Sequence, residues 1–169
     1  MDEYFDLCDI ERNSLSKLGK RGSVLEKGEY HIVVMAILKN ENDEILVTKR
    51  SQNKHIPGKW ECTAGSVIAG ETSAKAIKRE IKEEIGIDVD PSFATVISEY
   101  FEDDAIFDIW EIEIKTKVTD LVLQIEEVDE AKYVTILEIE NMIECGISTK
   151  SLCEVVKLYE IGKLKAKYK

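Results

Sequence analysis

The longest nearly continuous apolar run is residues 31–38, His-Ile-Val-Val-Met-Ala-Ile-Leu. It is rich in β-branched residues and lacks polar alternation, which predicts a strand covered on both faces. The turn residues of 40–43, Asn-Glu-Asn-Asp, lead into the apolar 44–49, so the two runs read as a β-hairpin. Segment 50–59 is polar and contains Pro57-Gly58, as a surface loop would. Residues 60–68 read as short and strand-like, tight around Gly65, with Trp60 packing beneath that loop. Upstream, 3–9 predicts a short strand, and the polar 11–28 predicts a hairpin followed by an irregular arm. Downstream, strands are expected near 93–101, 106–115 and 131–136, then helices over 137–145 and 149–161, the second capped by Ser148. Strands first, one helix in the middle and helices last imply an α+β layered fold around a mixed sheet. Repeats and Pro/Gly-rich linkers are missing from the sequence. Residues 1–169 therefore read as a single domain with an N-terminal arm over 1–29 and C-terminal helices over 137–161.

Between these strands, 73–85 carries helical periodicity, with Thr72 or Ser73 as the cap and Gly86 as the stop. On a helical wheel Ala74, Ile77, Ile81 and Ile85 form one stripe for packing on the sheet. Glu80, Glu83 and Glu84 share an adjoining face, while Lys75, Lys78 and Lys82 lie on the other side. Like charges three and four residues apart destabilise a helix. A divalent metal would neutralise them, and three carboxylates on successive turns supply the hard oxygen ligands that Mg²⁺ or Mn²⁺ prefers. Arg79 is expected to orient Glu83 through a bidentate pair. Gly65 and Gly70 bracket a bend that lets backbone approach a ligand and delivers Glu71 near the helix start. The carbonyl of Ala64 is placed to complete a metal shell.

Composition narrows the partners. Thirty-four acidic against 23 basic residues give a formal net charge of −11, which argues against a broad nucleic-acid binder. A small phosphorylated substrate stays compatible, because a bound metal inverts the local field. Four scattered cysteines, without a C-x-x-C pair, read as free thiols in a reducing cytoplasm. The acidic start Met1-Asp-Glu-Tyr-Phe-Asp has none of the features of a secretory leader, and the apolar runs fall short of a membrane span.

The pattern Gly65, five residues, Glu71, seven residues, Arg79-Glu80-Ile81, one residue, Glu83-Glu84, one residue, Gly86-Ile87 resembles the Nudix box at every position. Seven fixed matches would arise by chance on the order of once in 10⁸ positions. The resemblance implies an α/β/α sandwich around a mixed β-sheet and Mg²⁺-dependent hydrolysis, with Mn²⁺ as a substitute, of a small-molecule diphosphate. It implies that Glu83 and Glu84 ligate metal, that Glu80 is ligand or general base, and that Arg79 orients the carboxylates. Some Nudix hydrolases take their base from a loop after the box, which makes Glu127 a further ligand or base. Arg50 and His31 are expected to face substrate together with Glu71. Homodimers are common in the family.

A finer resemblance joins Phe5-Asp6-Leu7, Lys20-Arg21-Gly22, 28–31, 48–50 and 57–60 to the Nudix subgroup related to isopentenyl-diphosphate isomerase. Those isomerases carry Cys-Gly-His where this chain has Ala64-Gly65-Ser66. Cys62, two positions early on a strand, is displaced by about 6–7 Å. Hydrolysis is therefore favoured over isomerisation and over a non-catalytic nucleotide-binding module, since a pure binder would not need an intact acidic box.

Overall fold

Strand β3, His31–Lys39, is the spine of the sheet, and its alternation sets the layers. The computed structural model describes residues 3–169. Val34, Ala36 and Leu38 belong to one buried cluster, and Met35 and Ile37 to the other. Successive strand side chains point to opposite faces, so an uninterrupted apolar run requires cover on both.

In chain order the elements are β1 (Tyr4–Cys8), β2 (Ser14–Lys20), β3, β4 (Ile45–Arg50), β5 (Trp60–Glu61) and β6 (Ala64–Ser66). Then come α1 (Ser73–Ile85), β7 (Thr95–Glu102), β8 (Ala105–Glu113), β9 (Val128–Val134), α2 (Ile136–Glu144) and α3 (Lys150–Glu160). The main sheet runs β5-β4-β3-β8-β7, with β6 also paired to β3 and β9 to β4. The β3–β8 pair is parallel from His31↔Ala105 to Lys39↔Glu113, and the other pairings are antiparallel, so the sheet is mixed.

The predicted β3–β4 hairpin is real but brief. Only Leu38↔Leu46 and Lys39↔Ile45 pair; β4 then diverges to meet β9 and β5. The edge of β3 thus released is taken by β6, with Val34 opposite Gly65. This fork in the sheet holds the Gly65 loop next to α1.

On one face α1 buries Ala76, Ile77, Ile81 and Ile85 completely. Each isoleucine contributes roughly 1.5–3 kcal/mol by leaving water. On the other face α2 and α3 bury Ile136, Ile139, Leu152, Val155 and Leu158. The architecture is the expected α/β/α sandwich. Trp60 packs in this second core, with the Lys132 ammonium 4.4 Å from its ring centroid.

Several local expectations shift. Ala76 rather than Ala74 takes the fully buried place on α1. The last strand starts at Val128, three residues early, because Arg50 of β4 has Val128 as its partner across a bulge. Helix α3 is capped at Thr149 and not at Ser148; the Thr149 hydroxyl meets the Ser151 hydroxyl instead of a helix N–H. Met1 and Asp2, part of the acidic start, lie outside the described residues. Among the described residues no helix is long and apolar enough to cross a membrane.

Candidate active site

Both ends of α1 are fixed by the residues the sequence offers. Thr72 accepts the Lys75 N–H on its hydroxyl, and Gly86 closes the helix at φ 76° with its N–H on the Lys82 carbonyl. A side chain at Gly86 would also meet Val122, with Cβ atoms 2.7 Å apart, so this stop is enforced twice. Between these ends the acidic face must find counter-charges, and it finds two.

The first is Arg79. Its Nε and Nη2 donate to the two oxygens of Glu71 at 3.1 and 2.9 Å, a bidentate fork. Nη2 also donates to the Ser66 carbonyl at 3.0 Å, tying the glycine bend to the helix. Nη1 donates to Glu80 at 2.6 Å and to Glu83 at 3.3 Å. The fork therefore belongs to Glu71 and not, as expected, to Glu83. Glu71 on the bend is largely buried, whereas Glu83 is half-exposed and takes a single bond from Arg79. The Glu71 bond comes first among the causes that raise the Arg79 pKa.

Glu80 is pressed against the bend. A Cβ on Gly65 would lie 2.0 Å from the Glu80 carboxyl carbon, so only glycine leaves room for this carboxylate. Burial raises the Glu80 pKa, partly opposed by Arg79. Glu84 is deeper still, 3% exposed, and burial pushes its pKa up to about 7 despite the nearby Lys54.

That lysine is the second counter-charge. The Lys54 ammonium lies 2.9 Å from Glu127, 3.2 Å from Glu84 and 3.5 Å from Glu61. Burial lowers its pKa, but Glu84, Glu61 and Glu127 more than offset this, and the net direction is upward. The Glu84 oxygen facing away from Lys54, Oε2, is buried without a hydrogen-bond partner. A buried carboxylate oxygen left unpaired is costly and signals a further ligand.

Two cavities adjoin this cluster. A small one of about 120 Å³ is lined by Glu80, Glu83, Glu84, Glu127, Lys54 and Arg79, among others. A larger one of about 490 Å³ is lined by Arg50, Glu61, Cys62, Tyr100, Phe107 and Lys150, among others. Ala64 and Arg21 line both and mark where they meet. Tyr100 and Phe107 stack with centroids 4.3 Å apart.

The donor set fits a hard divalent cation: carboxylate oxygens, one of them orphaned, beside a bend that only glycine allows. Among the described residues, however, no three acidic or histidine side chains converge into a ready cage. The Lys54 ammonium stands between them.

The NUDIX domain model matches residues 29–148. The chain belongs to the Nudix family. An uncharacterized Nudix hydrolase of Listeria monocytogenes is 36% identical over 146 residues, covering 85% of this chain and 86% of that protein. The 8-oxo-dGTP diphosphatase of Escherichia coli is 40% identical over 55 residues, 32% of this chain and 43% of that enzyme. A crystal structure of a Deinococcus radiodurans protein shares the fold, with a TM-score of 0.78 at 19% identity, over 92% of this chain and 98% of that one. Homology of this kind makes the protein a Nudix hydrolase, of a family that generally uses divalent metals.

Within the Nudix box, Arg79, Glu80, Glu83 and Glu84 line the small cavity together, and Glu127 reaches it from the loop before β9. Other expected residues lie elsewhere. Glu71 spends its oxygens on Arg79 and on the Ile68 N–H, so it braces the bend. Arg50 lines the larger cavity while donating to Glu61 at 2.5 Å and to the His55 carbonyl. His31 stacks on Phe5 at 4.2 Å and lies outside the linings of both cavities; burial lowers its pKa. Sequence reasoning missed Lys54, Glu61 and Arg21. Glu61 and Lys54 sit seven residues apart in a loop and strand whose closure only the fold defines. Arg21 carried a visible signal, since Lys20-Arg21-Gly22 is one of the runs whose resemblance to other sequences drew attention to the N-terminal arm.

Proposed function

We propose that this Nudix hydrolase is a Mg²⁺-dependent pyrophosphatase, served also by Mn²⁺, acting on a nucleoside di- or triphosphate or a related diphosphate-linked small molecule. The observation that carries the reading is the gathering of Glu80, Glu83 and Glu84 in one small cavity, with Glu80 against the Gly65 bend, beside a larger cavity whose lining includes Arg50, Tyr100 and Phe107.

When bound, the metal would neutralise phosphate charge and favour ionisation of water. Glu83, Glu84 and Glu80, with the Ala64 carbonyl, are the residues to hold it. Arg79 keeps Glu80 and Glu83 oriented through its own attachment to Glu71 and Ser66. A water oxygen bonds to phosphorus, the phosphoanhydride P–O bond breaks, and its electron pair leaves on the departing phosphate. The water proton passes to a carboxylate. Glu80 suits that task because burial already raises its affinity for a proton, with Glu127 the second choice of base. Arg50 and Arg21 lie where phosphate oxygens enter from the larger cavity. Tyr100 and Phe107 offer a stacked aromatic wall for a base, and the Ser148, Thr149 and Ser151 segment offers polar groups for a sugar. The E. coli diphosphatase, similar over 55 residues, is named for a nucleoside triphosphate, which agrees with this choice.

The sequence resemblance to the isomerase-related subgroup includes the N-terminal arm, and Arg21 of that arm lines both cavities. Isomerase chemistry itself is disfavoured. Cys62 is fully buried, and burial pushes its thiol up to about 12, so it does not replace the cysteine missing at Ala64. Four free cysteines suit work in the cytoplasm.

The test is a phosphate-release screen over nucleotides, nucleotide sugars, dinucleoside polyphosphates and isoprenoid diphosphates, with Mg²⁺ and Mn²⁺ compared. A nucleoside-containing substrate turned over only with metal supports the reading. Deuterium uptake and allylic product from isopentenyl diphosphate in D₂O would replace it with isomerisation.

A further inference from the structure

We propose that Lys54 is an internal counter-cation that competes with the divalent metal for the same carboxylates, and so sets how weakly the free protein binds metal. The inference rests on the metal-site reading above and adds a residue outside the box to it.

Lys54 is not a surface lysine that happens to reach an acid. Its side chain is 14% exposed, and its ammonium contacts carboxylates from three separate segments: Glu61 of β5, Glu84 of α1 and Glu127 before β9. The loop that presents it is built for the purpose. Arg50 clasps the His55 carbonyl with two donors, Gly58 N–H returns to the Arg50 carbonyl, and Lys54 N–H reaches the Ser51 carbonyl. Ser51 in turn is tied on both sides: its N–H donates to the Glu127 carbonyl, and its hydroxyl donates to the Glu126 carbonyl and accepts the Asn53 N–H. One residue thus anchors both the Lys54 loop and the segment carrying Glu127.

Charge and geometry explain why the ammonium is needed and why it is an incomplete solution. Among the described residues, Arg50, Lys54 and Arg79 pair with Glu61, Glu71, Glu80, Glu83, Glu84 and Glu127, so in this cluster each cation is shared by more than one acid or an acid by more than one cation. A single charge bridging three carboxylates relieves their repulsion but leaves Glu84 Oε2 unpaired. A divalent ion at these oxygens would bring greater charge to the same acids, and Lys54 and the ion cannot both sit between Glu84 and Glu127. The flexible four-carbon stem lets the ammonium withdraw without moving the loop, which a forked arginine would not permit.

The test is Mn²⁺ binding to the purified protein, read by electron paramagnetic resonance, for wild type, Lys54→Met, Lys54→Gln and the exposed control Lys75→Met. Removing the competitor should tighten Mn²⁺ binding at least about tenfold in both Lys54 variants and leave the control unchanged. Their melting temperatures should fall without metal and rise on adding it by more than wild type does. Should Lys54→Met fail to fold, Lys54→Gln retains a hydrogen-bonding side chain and gives the same comparison. Unchanged or weaker binding, with wild type still binding Mn²⁺, overturns the competition and leaves the metal site standing. If neither wild type nor variants bind Mn²⁺ at millimolar concentration, the metal-site reading falls too.

Discussion

Arg79 and Glu71 are eight residues apart in sequence, yet form a two-bond fork, Nε–Oε1 at 3.1 Å and Nη2–Oε2 at 2.9 Å. The fork joins the glycine bend to the second turn of α1, and from it Arg79 still reaches Glu80 and Glu83 with its remaining nitrogen. Orientation of the acidic face therefore depends on a planar, five-donor group.

Lysine at this position keeps the charge but loses the fork. Arg79→Lys should lower kcat for metal-dependent phosphate release by roughly 10- to 100-fold, because small displacements of positioned groups are costly in rate. Its melting temperature should drop only modestly. Steady-state kinetics with a thermal melt on the same preparation checks this; equal loss in Arg79→Lys and Arg79→Ala would show that more than charge is required, and full activity in Arg79→Lys would contradict the role of the fork.

Gly65 and Glu80 make a related demand. Alanine at 65 would bring a methyl carbon within 2.0 Å of the Glu80 carboxyl carbon. The obstacle is the end of a flexible side chain, so the fold should tolerate the change by swinging the carboxylate away. Gly65→Ala should cost much more activity, on the order of 100-fold, than stability, on the order of 1 kcal/mol. Kinetics and a urea melt measure the two losses side by side.

Glu84 should make the metal-free protein sensitive to pH. Burial raises its pKa from an ordinary 4.5 to about 7. The folded state then holds a proton that the unfolded state releases, so this contribution to stability is fully present below pH 4.5 and is lost as pH rises through about 7. The rise corresponds to about 3 kcal/mol at most. Glu80 acts in the same direction. In chelator-treated protein, the stability advantage of Glu84→Gln over wild type should therefore grow between pH 4.5 and pH 8. Denaturation curves that stay parallel across this range would contradict the buried, proton-retaining Glu84.

The sequence carried most of α1, because everything that defines it is local: Thr72 and Gly86 at its ends, an isoleucine stripe, and acids at fixed spacing. The strand run 31–38 likewise announced a strand covered twice. What escaped depended on distant partners. Arg12 sits at φ 67° in the turn between the antiparallel pair β1 and β2 and donates to buried Asp108 at 2.6 Å, ninety-six positions away. Asp108 also accepts from Ser73, the first residue of α1, which fastens arm, sheet and helix together. No spacing rule reports such a contact. Lys54 was hidden for the same reason: a lone lysine in a polar loop becomes meaningful only when β5, α1 and the segment before β9 bring three carboxylates around it. Thr149 displaced Ser148 as cap because two hydroxyl residues compete locally, and the bridge of Ser148 to Trp60 holds Ser148 in extended pairing.

The central claim is that the acidic face of α1 holds the metal on which hydrolysis depends. Glu83 offers the cleanest probe, since it is half-exposed and its loss leaves the core untouched. The decisive measurement is Mg²⁺-dependent phosphate release by Glu83→Gln on the best substrate of the wild type, with folding verified by circular dichroism. Activity should fall at least about 100-fold while the spectrum and melting temperature stay close to wild type. A folded Glu83→Gln protein that hydrolyses the same substrate at the wild-type rate would contradict the site.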